Sequence, residues 1–244
     1  MASLYLDEGA ELAAVAAGDI VRLGGQEARH AVQVARVRLG ERIAIGDGRG
    51  TVVSGPVLES GQGELVIEVD EVRREQPAAP ALVLVQALAK GDRDELAVQA
   101  ATELGVDRIV PWAAARSVSR WEGAKAEKGR QRWATIAREA SKQSIRAWVP
   151  EVTAATPTAR LPELLAGARL LVLEPTAEHG LAQLELDERP LALLVGPEGG
   201  VAPEELARLA AAGAEPVRLG PTVLRTSTAG PAAIALLSAR LGRW

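Results

Sequence analysis

The sequence has no cysteine and no phenylalanine, only two histidines, and an aromatic share of 2%. Without cysteine there can be no disulfide, no thiolate zinc site and no cysteine nucleophile. His30 and His179 are too few for a histidine-based metal centre, so no metal is expected. The N-terminus lacks a basic stretch followed by an apolar run, so no signal peptide is expected. No apolar run reaches the roughly 18 residues that a membrane span requires. The expected location is therefore the cytoplasm. What is present is ample aliphatic material: 48% of the 244 residues are hydrophobic, so the core must be Leu, Val, Ile and Ala. That length allows one large domain or two modest ones.

Positive charge is scarce overall, with a net charge of −4, but it is unevenly placed. Nine Lys/Arg lie between Arg116 and Arg146 (Arg116, Arg120, Lys125, Lys128, Arg130, Arg132, Arg138, Lys142, Arg146), against Glu122, Glu127 and Glu139. That stretch carries +6 and the remainder −10. Local charge sets the field that a phosphate backbone meets. The run reads either as a polyanion surface or as a solvated helix face.

Residues 1–72 read as a small β-barrel. Val21-Arg22-Leu23, Arg42–Ile45, Thr51–Val53 and Glu64–Val69 are strand-like. Gly24-Gly25, Gly46-Asp47-Gly48 and Gly61-Gln62-Gly63 punctuate them as turns, and one helix is predicted over Glu27–Arg38. Arg73–Pro80 reads as a Pro-bearing linker. A second domain, 78–244, alternates strands and helices. Leu82–Leu88 is taken as a continuous apolar run, a strand buried on both faces. Further strands are predicted at Arg108–Trp112, Leu170–Leu173, Leu191–Val195 and Pro216–Leu219. Helices are predicted at Asp92–Leu104, Lys128–Ile145, Pro203–Ala212 and Thr228–Leu241. This alternation predicts an α/β domain with a parallel sheet covered on both sides.

Two loops at strand ends stand out: Val195-Gly196-Pro197-Glu198-Gly199-Gly200, and Leu219-Gly220 continuing through Val223-Leu224-Arg225-Thr226-Ser227-Thr228-Ala229. Open α/β sheets bind ligands at the carboxyl ends of strands, and glycines let backbone approach a ligand. The spacing is neither a dinucleotide fingerprint nor a P-loop, and no nucleophile elbow appears.

These loops resemble the two cofactor motifs of SPOUT methyltransferases, and within that class the chain resembles the RsmE family of 16S ribosomal RNA (uracil-N3) methyltransferases. The likeness extends through His30–Glu41, Lys90-Gly91-Asp92-Arg93, Glu95-Leu96, Gln99, Ala101–Val106, Arg116-Ser117 and Glu139–Arg146. The resemblance implies a PUA-like RNA-binding barrel in front of a trefoil-knotted SPOUT domain. It further implies S-adenosylmethionine as cofactor, 16S rRNA or the small ribosomal subunit as partner, and a homodimer whose partner subunit completes each site. The implied cofactor-binding set is Leu173, Glu174, Gly196, Pro197, Glu198, Gly199, Gly200, Leu219, Gly220, Val223, Leu224, Thr226, Thr228 and Ala229. The implied RNA contacts are His30, Arg36, Arg38, Arg93 and Arg116. Two departures stand beside these matches. The family's Arg-bearing N-terminal stretch is replaced by Met1-Ala2-Ser3-Leu4-Tyr5-Leu6, and Ser227 occupies the position of a usual Glu.

Methylation of uracil N3 requires an in-line sulfonium, loss of the N3 proton, and stabilisation of the charge then shared by O2 and O4. Arg225, Arg146 and Lys90 are the expected cations, and Gln143 an expected donor to a uracil oxygen. Each has a plainer reading. Arg225 could brace its loop through Glu198, Arg146 could hold phosphate, Lys90 could be a surface charge, and Gln143 could satisfy backbone. Trp112, Trp121, Trp133 and Trp148 read as core or interface anchors. Alternatives to the uracil-N3 reading are a SPOUT enzyme with another rRNA or tRNA target, or an inactive RNA-binding assembly factor.

Overall fold

The computed structural model describes residues 3–61 and 63–244, so Met1, Ala2 and the Gln62 of one predicted turn lie outside the description. The chain packs as two units: Met1–Pro77 with Ser141–Val149, and Ala78–Ala140 with Pro150–Trp244.

The first unit is a six-stranded sheet: β1 (Leu4–Leu6), β2 (Ile20–Leu23), β3 (Arg42–Gly46), β4 (Thr51–Gly61), β5 (Glu64–Glu68) and β6 (Glu71–Arg74). The order is β1-β3-β4-β5-β2, with β6 also on β4. A register shift between Val57 and Glu59 lets β4 serve two sets of neighbours. Its first half pairs with β3 and β6, its second with β5. Alternation in these strands sends Tyr5, Ile43, Ile45, Val53, Leu65 and Ile67 into one core. The predicted linker therefore begins later than Arg73, because Arg73 and Arg74 belong to β6. The predicted Glu27–Arg38 helix is also shorter. It is α1 (Gly25–Arg29) followed by a π-helical turn, His30–Ala35, which Arg36 ends at φ 56°. With Arg36 in the left-handed region, the Val37 N–H turns back to donate to the Ala31 carbonyl at 3.0 Å and closes the helix there.

The opposite face of the same strands carries Leu4, Leu6, Ala44 and Val52, and Ala147 closes over them. Two further bonds hold that covering segment. Arg73 donates to the Ile145 carbonyl at 3.1 Å, and Trp148 Nε1 donates to the Glu75 carbonyl at 3.0 Å. A division of the chain into 1–72 and 78–244 leaves this packing out.

The second unit has seven strands, all parallel: β7 (Leu82–Ala87), β8 (Arg108–Ala113), β9 (Glu151–Val152), β10 (Thr156–Pro157), β11 (Arg169–Leu173), β12 (Leu191–Val195) and β13 (Glu215–Val217). Their order is β10-β8-β7-β12-β11-β13, with β9 beside β8. The helices are α2 (Arg93–Glu103), α3 (Ala124–Gln143), α4 (Leu161–Leu164), α5 (Pro203–Ala211) and α6 (Thr226–Arg240). Parallel strands need a crossover between neighbours, and both sheet faces are consequently covered. One apolar cluster joins Leu84, Leu193, Val98, Trp133, Ile234 and Leu237, and another joins Val85, Val110, Leu194, Leu161 and Leu209. Trp112 and Trp133 are fully buried, and Trp121 meets Trp133 edge-on at 5.1 Å. Among the described residues no helix is long and apolar enough to cross a membrane.

Leu82–Leu88 is not a continuous apolar run: Gln86 sits within β7, wholly buried. β11, β12 and β13 run in the same direction, so the loops leaving their carboxyl ends gather at one edge of the sheet.

Candidate functional site

Those gathered loops enclose a cavity of about 400 Å³, within the size range of small-molecule sites. Leu173, Glu174 and Pro175 enter from β11. Val195, Gly196, Pro197, Glu198, Gly200 and Val201 enter from the first glycine loop, and Val217 to Gly220 from β13. Thr222 to Thr226, Ala229 and Arg93 complete the wall. Three of its glycine and proline positions serve shape. Gly200 adopts φ 71° and closes a turn by donating to the Pro197 carbonyl at 2.9 Å. Gly196 has no room for a side chain, because a Cβ there would lie 2.8 Å from Val201 Cγ2.

A buried chain of hydrogen bonds fixes the two loops to each other. Gln86 Nε2 donates to Thr226 Oγ1 at 2.8 Å, and Thr226 Oγ1 donates to the Gly196 carbonyl at 2.9 Å. Thr226 is the first residue of α6, so one hydroxyl joins β7, the first glycine loop and the start of the last helix. Gln86 carries this role without having been singled out in the sequence. Its signal was a polar side chain inside an otherwise apolar strand.

Charge at the cavity is organised around Glu198. Its Oε1 accepts from the Lys90 backbone N–H at 3.1 Å and from Arg93 at 3.0 Å. Burial pushes this carboxyl upward, but hydrogen bonds from its own backbone, from Lys90 and from Arg93 prevail and hold it below the usual carboxylate range. Nearby, Asp94 is pushed up, chiefly by burial, and accepts from the Ala89 N–H at 3.0 Å. Arg218, also unforeseen, lines the cavity and donates to the Ala177 carbonyl at 2.8 Å.

The sequence candidates separate accordingly. Of the expected cofactor residues, all but Gly199 and Thr228 line the cavity. Gly199 turns away, its carbonyl accepting from Arg116 at 3.0 Å, and Thr228 is exposed on α6. Arg225 lines the wall, and its guanidinium makes no hydrogen bond or ion pair within the described residues. It does not brace Glu198, because Arg93 holds that carboxylate. Arg93, expected at RNA, stands on the cavity wall. Lys90 contributes its backbone to Glu198 and leaves its side chain exposed. Gln143 and Arg146 pack with the first unit, as do His30, Arg36 and Arg38. The structure therefore does not group all four expected catalytic residues in one unit. Ser227 lies half-buried in the first turn of α6.

The basic stretch is more neutral than its composition. Arg130 pairs with Glu127, Arg132 with Glu95, Arg138 with Glu139, and Lys142 with Glu27.

Comparison with known proteins bears on this architecture. A family model described as an RNA methyltransferase domain matches residues 75–238, and one described as an RNA methyltransferase PUA domain matches 23–70. The chain is 42% identical over 233 residues to ribosomal RNA small subunit methyltransferase E of Mycobacterium bovis, covering 93% of this chain and 89% of that protein. It is 31% identical to the Bacillus subtilis protein of the same name, covering 88% of each. The crystal structure of a ribosomal RNA small subunit methyltransferase E from Neisseria gonorrhoeae bound to S-adenosyl methionine superposes with a TM-score of 0.87, at 26% identity and 98% coverage of each chain.

Proposed function

The chain belongs to the ribosomal RNA small subunit methyltransferase E family, and from that premise we propose that it methylates N3 of a uridine in 16S rRNA, with S-adenosylmethionine as donor. The observation that carries this reading is the cavity built from both glycine loops and braced by Thr226. Its wall fits the donor. Leu173, Val195, Val217, Leu219, Leu224 and Ala229 offer an apolar surface for a purine, and loop backbone together with charged side chains lies beside it for the polar remainder. When bound, the donor supplies an electrophilic methyl group on a sulfonium.

The chain's own residues then have three tasks. The glycine loops and the Leu173–Glu174 strand end hold the donor and exclude water from it. Arg225, a cation on the wall with no partner of its own among the described residues, stabilises the charge that appears on uracil O2 and O4 when the N3 proton leaves. Lys90, Gln143 and Arg146 are assigned to the RNA side, where cations meet phosphate and donors meet base edges. His30, Arg36, Arg38 and Arg116 extend that grip. The working form is a homodimer. Val223, on the cavity wall and 77% exposed, is an apolar surface that a second copy can cover.

The test is mass mapping of small-subunit rRNA from a strain lacking the gene. One uridine should lose its methyl mass and regain it on incubation with purified protein and S-adenosylmethionine. A retained mark overturns the target assignment. Absence of calorimetric S-adenosylmethionine binding overturns the enzyme assignment and leaves an RNA-binding factor. Sedimentation of the free protein as a monomer overturns the dimer.

A further inference from the structure

Five charged residues line the cavity: Arg93, Glu174, Glu198, Arg218 and Arg225. Arg218 spends a donor on the Ala177 carbonyl, and Glu174 accepts from the Thr176 hydroxyl at 2.9 Å. Only Arg93 and Glu198 form an ion pair with both partners on the wall, among the described residues. Arg93 opens α2 and Glu198 lies in the first glycine loop, 105 residues away in sequence, and the two meet at 3.0 Å. The pair is only partly shielded, with side chains 45% and 27% exposed, so its intrinsic contribution to stability is small. A weak brace facing a ligand cavity invites a second use.

The geometry of the donors supports one. A guanidinium has five N–H donors, and the bond to Glu198 uses one nitrogen, NH1. The two bonds that Glu198 receives from neighbouring residues both fall on Oε1, so Oε2 keeps acceptor capacity. The pair therefore presents a cationic donor face and an anionic acceptor adjacent to each other. That is the complement of an α-amino-acid end, which carries a carboxylate and an ammonium on one carbon. We propose that the Arg93–Glu198 pair is the specificity element for the amino-acid end of the cofactor, Arg93 taking the carboxylate and Glu198 the ammonium. This rests on the cofactor reading above and deepens it. In this account the apolar side chains of the wall hold the nucleoside without discrimination, and the ion pair distinguishes a whole donor from its nucleoside fragment.

The experiment compares two stable ligands by calorimetry. S-adenosylhomocysteine has the amino-acid end, and 5′-methylthioadenosine lacks it. The wild type should bind both, the former more tightly. Arg93→Met and Glu198→Gln should each weaken S-adenosylhomocysteine about tenfold to a hundredfold, as expected for loss of a charge-assisted hydrogen bond. Both should leave methylthioadenosine within about twofold, and that retained binding reports an intact cavity in the variants. Arg93→Lys, which keeps the charge, should recover part of the loss. Equal weakening of both ligands, or no weakening of either, overturns the proposal and returns the pair to a structural brace. Failure of the wild type to bind either ligand is a different result, and it removes the cofactor reading itself.

Discussion

At the scale of single residues, two glycines three positions apart in one loop have opposite tolerances. A Cβ on Gly196 would meet Val201 Cγ2 at 2.8 Å and the Val201 backbone nitrogen at 3.3 Å, so the loop must shift. A Cβ on Gly199 would find Arg116 Cβ at 3.5 Å, an ordinary contact. Gly196→Ala should therefore weaken S-adenosylhomocysteine binding by about tenfold or more, whereas Gly199→Ala should bind as the wild type does, both read by calorimetry. Equal effects would mean that the loop yields easily and that shape is not its contribution. Thr226 gives a second residue-scale prediction. Thr226→Val keeps the volume but strips the hydroxyl from the Gly196 carbonyl and the Gln86 amide. Burying those groups unpaired should cost about 1–3 kcal/mol in urea unfolding. Thr226→Ser should retain most of that stability, and a valine variant as stable as the wild type would show that water replaces the bridge. Much of the cavity was legible in the sequence because glycine and hydroxyl residues cluster at strand ends. Gln86, Arg93 and Arg218 were not, because the partners that define them are 41 to 140 residues away.

At the scale of elements, long apolar runs made β7, β8, β11 and β12 legible, and their alternation with helices implied the parallel sheet. β9 and β10 are two residues each, too short for any period to register. The edge strand β13 was placed one or two residues late, and it is held by more than its ladder. Arg169 on β11 grips Glu215 on β13 through two bonds, Nε to Oε1 at 2.6 Å and NH2 to Oε2 at 2.7 Å. That bidentate contact with Arg169 holds the Glu215 carboxyl below its usual range, against the upward push of burial. A carboxylate lowered in the folded state adds stability that is complete above its unfolded value, about 4.3, and is lost as pH falls through the folded value. Asp94 works in the other direction. Burial raises it, so its contribution to stability falls as pH rises from its unfolded value through its folded one. The Glu215 contribution can be isolated by comparing urea midpoints at pH 7 and pH 3. Glu215→Gln should start lower than the wild type at pH 7 and show a smaller drop at pH 3. Parallel drops in the two proteins would mean that the pair contributes nothing across this range.

At the scale of the whole molecule, the sequence suggested two consecutive domains, yet Ser141–Val149 packs with the first unit although it follows most of α3. Nothing in local periodicity could announce this. The strands of the first unit carry apolar residues on both faces, with Leu4, Leu6, Ala44 and Val52 opposite the core set, but local pattern does not say which distant segment covers the second face. Nine cations between Arg116 and Arg146 fit either a polyanion surface or a solvated helix face, and Arg130, Arg132, Arg138 and Lys142 answer carboxylates within the protein. Lys142 is the extreme case, its side chain 12% exposed and 3.1 Å from Glu27. Lys125 and Lys128 are exposed and make no ion pair among the described residues. If rRNA is the ligand, these two kinds of lysine must behave differently in salt. Each phosphate neutralised on a single strand contributes a slope of about −0.7 in log affinity against log salt. Lys128→Gln should flatten the measured slope by about that amount while leaving the thermal midpoint unchanged. Lys142→Gln should lower the midpoint, because it leaves the Glu27 carboxylate short of its buried partner. A salt slope that changes only with Lys142 would mean that the ion pair opens on binding and that composition, not the folded pairing, had described the RNA surface correctly.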